Sequence, residues 1–332
     1  MKFLPVLSFP VAKKLGYKTS DFVRSADAQV EVMAWIAEHV PTDAVIGPMD
    51  LSIEAEAFGA TARYSDEDVP AIVGQLVEDG DGANALEVPA ATAGRCGVAP
   101  EVITKLKARG VAKPVYGGMI GPFSLAGRLM DVTEVMFLMM DEPETVKTVV
   151  EKSTEFLIAY GRAIKQAGAD GLFMAEPLAG VVSPNGLAEF SAPYVKRIVE
   201  TLQDEKFPVI YHNCGTNVVK AADVIFAQGA AGYHFGNAVN LKEMLEKAPK
   251  DVLVMGNIDP VNVLARGTPE SIRAACEALV KDCGGFPNFI LSSGCDIPVA
   301  VPWENLKAFS TEAQGHLAGL GAKPEEVQGG GK

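Results

Sequence analysis

The stretch Phe207-Pro208-Val209-Ile210-Tyr211-His212-Asn213-Cys214-Gly215 reads as a buried strand that ends in chemistry. Phe207, Val209, Ile210 and Tyr211 favour a pleated, buried backbone, Pro208 suits a strand's first positions and Gly215 marks its end. Alternate side chains of a strand share a face, so His212 and Cys214 point the same way. A third soft donor, Cys295, follows another apolar run and a glycine in Asn288-Phe289-Ile290-Leu291-Ser292-Ser293-Gly294-Cys295. Two thiolates and an imidazole suit Zn²⁺ and leave a fourth position open, as catalytic zinc sites do. The competing reading makes His212 a packed strand-end residue and both cysteines small buried hydrophobes. At this point both stand.

Outward from this strand the chain alternates strand and helix. Apolar runs predict strands at Ala44–Ile46, Val115–Gly121, Gly171–Ala175, Gly232–Asn237, Val252–Asp259 and Asn288–Leu291. Helices are expected over Ser20–His39, Leu51–Phe58, from the Ser65-Asp66-Glu67-Asp68 cap to Glu78, and over Ala99–Arg109. Others are expected over Pro143–Gln166, Pro184–Gln203, Leu241–Lys247, Pro269–Lys281 and Pro302–His316. Strands that are apolar throughout belong to parallel sheets covered on both faces. About 330 residues of this alternation favour a closed (β/α)₈ barrel with an N-terminal helical extension. One domain over residues 1–324 and a disordered polar tail, Glu325–Lys332, are expected. No Gly-x-Gly-x-x-Gly follows a strand and no Walker A pattern occurs, which weakens an open nucleotide-binding sheet.

In a barrel the C-terminal strand ends form one face, where active sites lie. Asp50, Glu176, His212, Cys214, Asn237, Asp259 and Cys295 all fall at such ends and would converge. Glu176 is a candidate transient ligand or proton acceptor, or else caps the following turn. Asp50 is a candidate contact to a substrate, or the N-cap of the next helix. Asn237 and Asp259 are candidates for cofactor contact at the rim, although Asn257 and Asp259 also suit holding a loop. Met119, Met174 and Met255 would floor an apolar pocket, or fill the core as methionine more often does. The methionines from Met130 to Met140 read as core, and His234, mid-strand, as structural.

A net charge of −13 without any Lys/Arg-rich run argues against nucleic acid or an anionic membrane surface as a partner. No segment has the length and apolarity of a membrane span, so a cytoplasmic protein is expected. Five scattered cysteines suit reduced thiols rather than a disulfide framework. Cys276 and Cys283, on one side of a helix, are read as core.

Gly121-Pro122-Phe123-Ser124-Leu125-Ala126, Ser183-Pro184 with Phe190 and Pro193-Tyr194, Gly256-Asn257-Ile258-Asp259-Pro260 and Pro302-Trp303-Glu304-Asn305-Leu306-Lys307 occur in that order. With them the chain resembles the uroporphyrinogen decarboxylase superfamily over nearly its whole length. Within it, His212-Asn213-Cys214 and Gly294-Cys295 resemble the His-x-Cys…Cys zinc signature of the corrinoid-dependent methyltransferases, whereas metal-free decarboxylases carry a histidine-containing turn where Cys295 stands. The resemblance implies a (β/α)₈ barrel, Zn²⁺ on His212, Cys214 and Cys295, and methyl transfer between a methylcobamide and a small acceptor, a thiol such as coenzyme M or a folate. No Asp-x-His-x-x-Gly corrinoid stretch is present, so a partner corrinoid protein would bring the cobamide; a homo-oligomer paired through barrel faces stays open. Two departures stand out. The strand Tyr233-His234-Phe235-Gly236-Asn237 lacks the carboxylate that serves some of these enzymes as a reversible fourth ligand. Met1–Lys18 holds no arginine, where decarboxylases grip substrate carboxylates.

Overall fold

The computed structural model describes residues 3–319. Seven parallel strands lie side by side in chain order: β1 (Val45–Ile46), β2 (Val115–Ile120), β3 (Gly171–Ala175), β4 (Val209–Asn213), β5 (Gly232–Phe235), β6 (Leu253–Ile258) and β7 (Phe289–Ser293). The sheet curls, and the extended segment 3–6 fills the gap between its edges. On one side Leu4 N–H donates to Leu291 O (3.1 Å) and Val6 N–H to Ser293 Oγ (3.2 Å). On the other, Asp43 N–H donates to Phe3 O (2.9 Å) and Phe3 N–H to Asp43 Oδ2 (2.7 Å). The expected barrel is present. Its eighth stave, though, is this N-terminal segment, in place of a purely helical extension. Pro5 removes a backbone donor there, so the stave pairs through single bonds rather than a full ladder.

Strand parity sorts the side chains into two cores. Leu4, Ile46, Tyr116, Phe173, Ile210, Met255 and Ile290 pack inside the barrel. Val115, Met119, Leu172, Met174, Val209 and Tyr211 pack outward against the helices. In β4 this sends Ile210 and His212 inward, as the alternation predicts.

Several helices differ from expectation, each for a local reason. The stretch 20–39 is broken into Thr19–Phe22 and Ala26–His39, because the Ser25 side chain accepts from Ala28 N–H (3.2 Å) and starts a second helix. Pro184–Phe190 and Ala192–Leu202 likewise replace one long helix. Pro193 offers no donor to continue the first, so the break at Ser191 is natural. No helix follows Ser65. Its Oγ accepts from Glu67 N–H (3.1 Å) and Asp68 N–H (3.2 Å), but Pro70 follows, and Ala71–Val73 pairs antiparallel with Thr61–Arg63. Helix Val132–Asp141 is only partly core: Met130 and Val135 are buried, while Phe137 is 62% and Met140 85% exposed. Cys276 and Cys283 are buried on helix Pro269–Cys283 as expected. Among the described residues no helix is long and apolar enough to cross a membrane. Residues 325–332, expected to be a disordered tail, lie outside the described residues.

Candidate metal centre

His212 stands at the inward face of β4, and Cys214 follows on the same side just past the strand's end. Cys295 arrives one residue after Gly294, which leaves β7 with Gly294 N–H donating to Ile258 O (2.7 Å). Two glycines make room for the cysteines. A Cβ on Gly236 would stand 2.3 Å from Cys214 Cβ, and one on Gly294 would stand 2.7 Å from Asn237 N. The ligand atoms of His212, Cys214 and Cys295 all lie within 4.8 Å of one another. They face a cavity of about 80 Å³ walled mainly by Val6, Met49, Leu51, Phe173 and Pro177.

The hydrogen bonds behind His212 decide which nitrogen faces the cavity. Ser292 Oγ–H donates to Leu4 O, a carbonyl that can only accept. The Ser292 oxygen, 2.8 Å from His234 Nε2, therefore receives that nitrogen's proton. Burial, then the adjacent His212 ring, hold His234 far below the usual imidazole range, so it is neutral and its Nδ1 is bare. His212 Nδ1, 2.7 Å from His234 Nδ1 and 3.2 Å from His234 O, must then carry the proton. That leaves the lone pair of His212 on Nε2, 3.6 Å from Cys295 Sγ. A tetrahedral site with Zn–S of about 2.3 Å and Zn–N of about 2.0–2.1 Å has an S···N edge of about 3.6 Å. The donor set fits Zn²⁺ in type and tautomer, and its Nε2–Cys295 edge in spacing.

The two thiols share a proton. The hydrogen bond from Cys295 lowers the Cys214 thiol below the usual range, and the same bond together with burial pushes Cys295 above it. The first proton of the pair is thus the easier to lose and the second the harder, and a bound cation would release the second.

The other candidates sit elsewhere. Glu176 is fully buried at the end of β3 and caps helix Pro122–Met130. It accepts from Phe123 N–H (2.9 Å), Ser124 N–H (2.8 Å) and Ser191 Oγ–H (2.8 Å). Burial raises its proton affinity, while those donors oppose the rise. Asp50 is buried against Arg95 (2.5 Å) and accepts from Ser52 N–H (3.1 Å) and Oγ–H (2.6 Å). Arg95 also grips Glu56 (2.5 Å). Met119 faces the helical layer, on the opposite side of β2 from the cavity. Asn237 and Asp259 meet at the rim (3.1 Å), where Asp259 Oδ1 also caps the turn Pro260–Ala265. Asn257 Nδ2–H₂ donates to Gly236 O (2.9 Å) and Val239 O (2.7 Å), holding the loop after β5. So three of the eight candidates converge, and five are placed in supporting or outer positions. His234, Ser292 and Met49 do reach the centre but do not stand out in the sequence, although His234 could have been found through the strand register that pairs it with His212.

The family model for uroporphyrinogen decarboxylase (URO-D) matches residues 6–316. The chain belongs to the uroporphyrinogen decarboxylase family. A methylcobamide:CoM methyltransferase of Methanosarcina acetivorans is 29% identical over 85% of this chain and 84% of its own length. A uroporphyrinogen decarboxylase of Desulfotalea psychrophila is 26% identical over 90% of this chain and 88% of its own. Among solved structures, a methyltransferase from Methanosarcina mazei superposes with a TM-score of 0.84 at 21% identity, covering 95% of this chain and 94% of that one. This family's relatives are methyltransferases or decarboxylases, and the superposition bears out the barrel expected from the strand–helix alternation.

Proposed function

We propose that this URO-D family chain is a zinc-dependent methyltransferase that moves a methyl group between a methylcobamide, carried by a partner corrinoid protein, and a small acceptor, a thiol in the first instance. The observation that carries this reading is the donor triad: a bare Nε2 and two sulfurs, all within 4.8 Å of one another, facing an apolar cavity. Zn²⁺ bound there would supply a Lewis acid that keeps an acceptor thiol ionised at neutral pH, where a free thiol of pKa about 8.5 is mostly protonated. Cys214 and Cys295 would hold the ion and, as two anions, cancel its charge, so that a third sulfur stays electron-rich. His212 adds the neutral ligand with its proton kept on Nδ1. Phe173, Met49 and Pro177 exclude water and lower the local dielectric, which strengthens a thiolate as nucleophile.

Glu176 and Asp50 we assign as positioning residues: one anchors the helix beside the cavity, the other the loop after β1. Asn237 and Asp259 are proposed to shape the rim on which the cobamide would rest. A folate acceptor and the metal-free decarboxylase are the competing readings. The latter lacks its cationic clamp, because the N-terminal segment has no arginine and is consumed in closing the barrel.

The test is metal analysis of purified protein with a methylcobalamin assay. About one zinc per chain, and thiol-dependent loss of methylcobalamin, are expected; Cys214→Ala and Cys295→Ala should abolish both. Retained zinc with unchanged turnover in either variant would overturn the assignment, and carbon dioxide release from uroporphyrinogen by metal-stripped protein would favour the decarboxylase.

A further inference from the structure

Five cysteines divide into two kinds. Cys96, Cys276 and Cys283 are buried, whereas Cys214 and Cys295 are only half-buried and stand beside the cavity. Cys276 and Cys283 are seven residues apart on helix Pro269–Cys283, about 10 Å along its axis, too far for a bridge. Cys96 is enclosed, with Sγ–H donating to Ile53 O (3.5 Å). The sulfurs of Cys214 and Cys295 lie within 4.8 Å of each other, where a disulfide needs about 2.05 Å. Closing that gap asks nothing of the sheet. Cys214 follows Asn213, the last residue of β4, and Cys295 stands two residues past Ser293, the last of β7. A small oxidant has room to arrive. The cavity of about 80 Å³ shares Met49, Leu51 and Asp296 with a wider cleft of about 310 Å³, and a water-sized molecule needs only about 10–15 Å³.

We propose that Cys214 and Cys295 form a reversible modification site: a hydroperoxide joins them in a disulfide and thereby discharges the metal centre. This rests on the zinc part of the reading above and adds its control by oxidation. One sulfur, as thiolate, attacks a peroxide oxygen; an S–O bond forms, the O–O bond breaks, and the leaving hydroxide takes a proton to become water. The second sulfur then displaces hydroxide from that sulfenic acid. An S–S bond forms, the S–O bond breaks, and a second water leaves with the remaining proton. Two electrons pass from the sulfur pair to the peroxide, so two thiols and one peroxide give one disulfide and two waters. A thiolate is the metal-binding form of cysteine and a disulfide is neutral, so His212 is left as the single donor of the three. The neighbouring sulfur protects as well as bridges, because it resolves the sulfenic acid before further oxidation becomes irreversible. A dithiol reductant undoes the bridge by exchange.

The experiment treats zinc-loaded protein with hydrogen peroxide and follows zinc released to a chromogenic chelator and thiols remaining after denaturation. Mass spectrometry of non-reduced peptides identifies the cysteines that become joined. Zinc and thiols should fall together, one ion for two of the five thiols, with Cys214 joined to Cys295. Dithiothreitol followed by zinc should restore both. Cys295→Ser leaves Cys214 without its resolving partner, so peroxide should then yield a sulfenic acid trapped by dimedone. Excess peroxide should carry it to a sulfinic acid that dithiothreitol does not reverse. Cys276→Ala, outside the site, should bridge as wild type does. Zinc release from wild type with sulfinic acids on both cysteines and no bridge overturns the proposal. So does a bridge that involves Cys96, Cys276 or Cys283, or full retention of zinc after the bridge has formed. Five thiols left intact by peroxide in zinc-bearing protein overturn it while leaving the metal centre in place. A reversible Cys214–Cys295 bridge in protein that binds no zinc when reduced supports the modification site and removes the zinc reading.

Discussion

As a proposed zinc ligand, His212 needs its proton on Nδ1, and His234 keeps it there. In His234→Phe the ring volume is retained and the accepting nitrogen is lost, but the residue's carbonyl still lies 3.2 Å from His212 Nδ1. Zinc affinity should therefore fall by about tenfold, the lower end of the 10–100-fold range for such partners, as measured by competition with a chelator. Glu54 makes a separate prediction. It is fully buried, accepts one bond from Ile120 N–H (2.9 Å), and has Oε2 unpartnered, and burial raises its pKa to about 8. Between the unfolded value near 4.5 and about 8 the native state binds more protons than the unfolded chain. Stability is then highest below pH 4.5 as far as this group is concerned, and declines as pH rises through that window. Glu54→Gln should remove the decline, raising Tm at pH 8 by several degrees and changing it little at pH 5. Equal shifts at both pH values would rule out this titration as the cause.

At the scale of the element, a strand-end carboxylate has two uses that look the same in sequence. Glu176 follows a buried strand and could face a substrate or a helix. The fold chooses the helix, whose first-turn N–H groups and dipole draw the carboxylate in. Gly121 permits the approach, because a Cβ there would stand 2.3 Å from Glu176 Oε2. Glu176→Ala should cost about 3 kcal/mol or more, since it strands three buried donors, and urea titration would measure it. Folded variant protein should still hold zinc, whereas its loss would return Glu176 to the metal. The same ambiguity explains which parts of the site were legible. His212 and Cys214 share one strand, so a period of two places both, and Cys295 follows the same strand–glycine pattern. Met119 was open to both a pocket and a core reading because Gly117 and Gly118 blank out the alternation of β2, and it lies in the core. His234 needed the register between β4 and β5, which no local pattern contains. The hairpin Thr61–Arg63 with Ala71–Val73 was hidden by a genuine capping signal at Ser65 that Pro70 cuts short.

For the whole molecule, closure and chemistry meet in the segment 3–6. It was the least visible part of the barrel, because four residues interrupted by Pro5 carry no strand periodicity. Yet it joins β7 to the start of β1, its Leu4 carbonyl anchors the Ser292 hydroxyl, and Val6 walls the cavity of His212, Cys214 and Cys295. Two substitutions separate these duties. Leu4→Ala removes an inward side chain but keeps the carbonyl, so it should lower stability by about 2–5 kcal/mol and leave the zinc affinity of folded protein unchanged. Ser292→Ala keeps the barrel core but releases His234 Nε2 from its acceptor. The His234 proton can then move to Nδ1 and donate towards His212, whose own proton shifts to Nε2 and blocks the ligand lone pair. Chelator competition should show about a tenfold loss of zinc affinity, and calorimetric zinc titrations in buffers of different ionisation enthalpy should show an altered proton release. If Leu4→Ala also weakened zinc binding in proportion to its loss of stability, rigidity of the closed barrel rather than the proton's position on His212 would govern the metal centre.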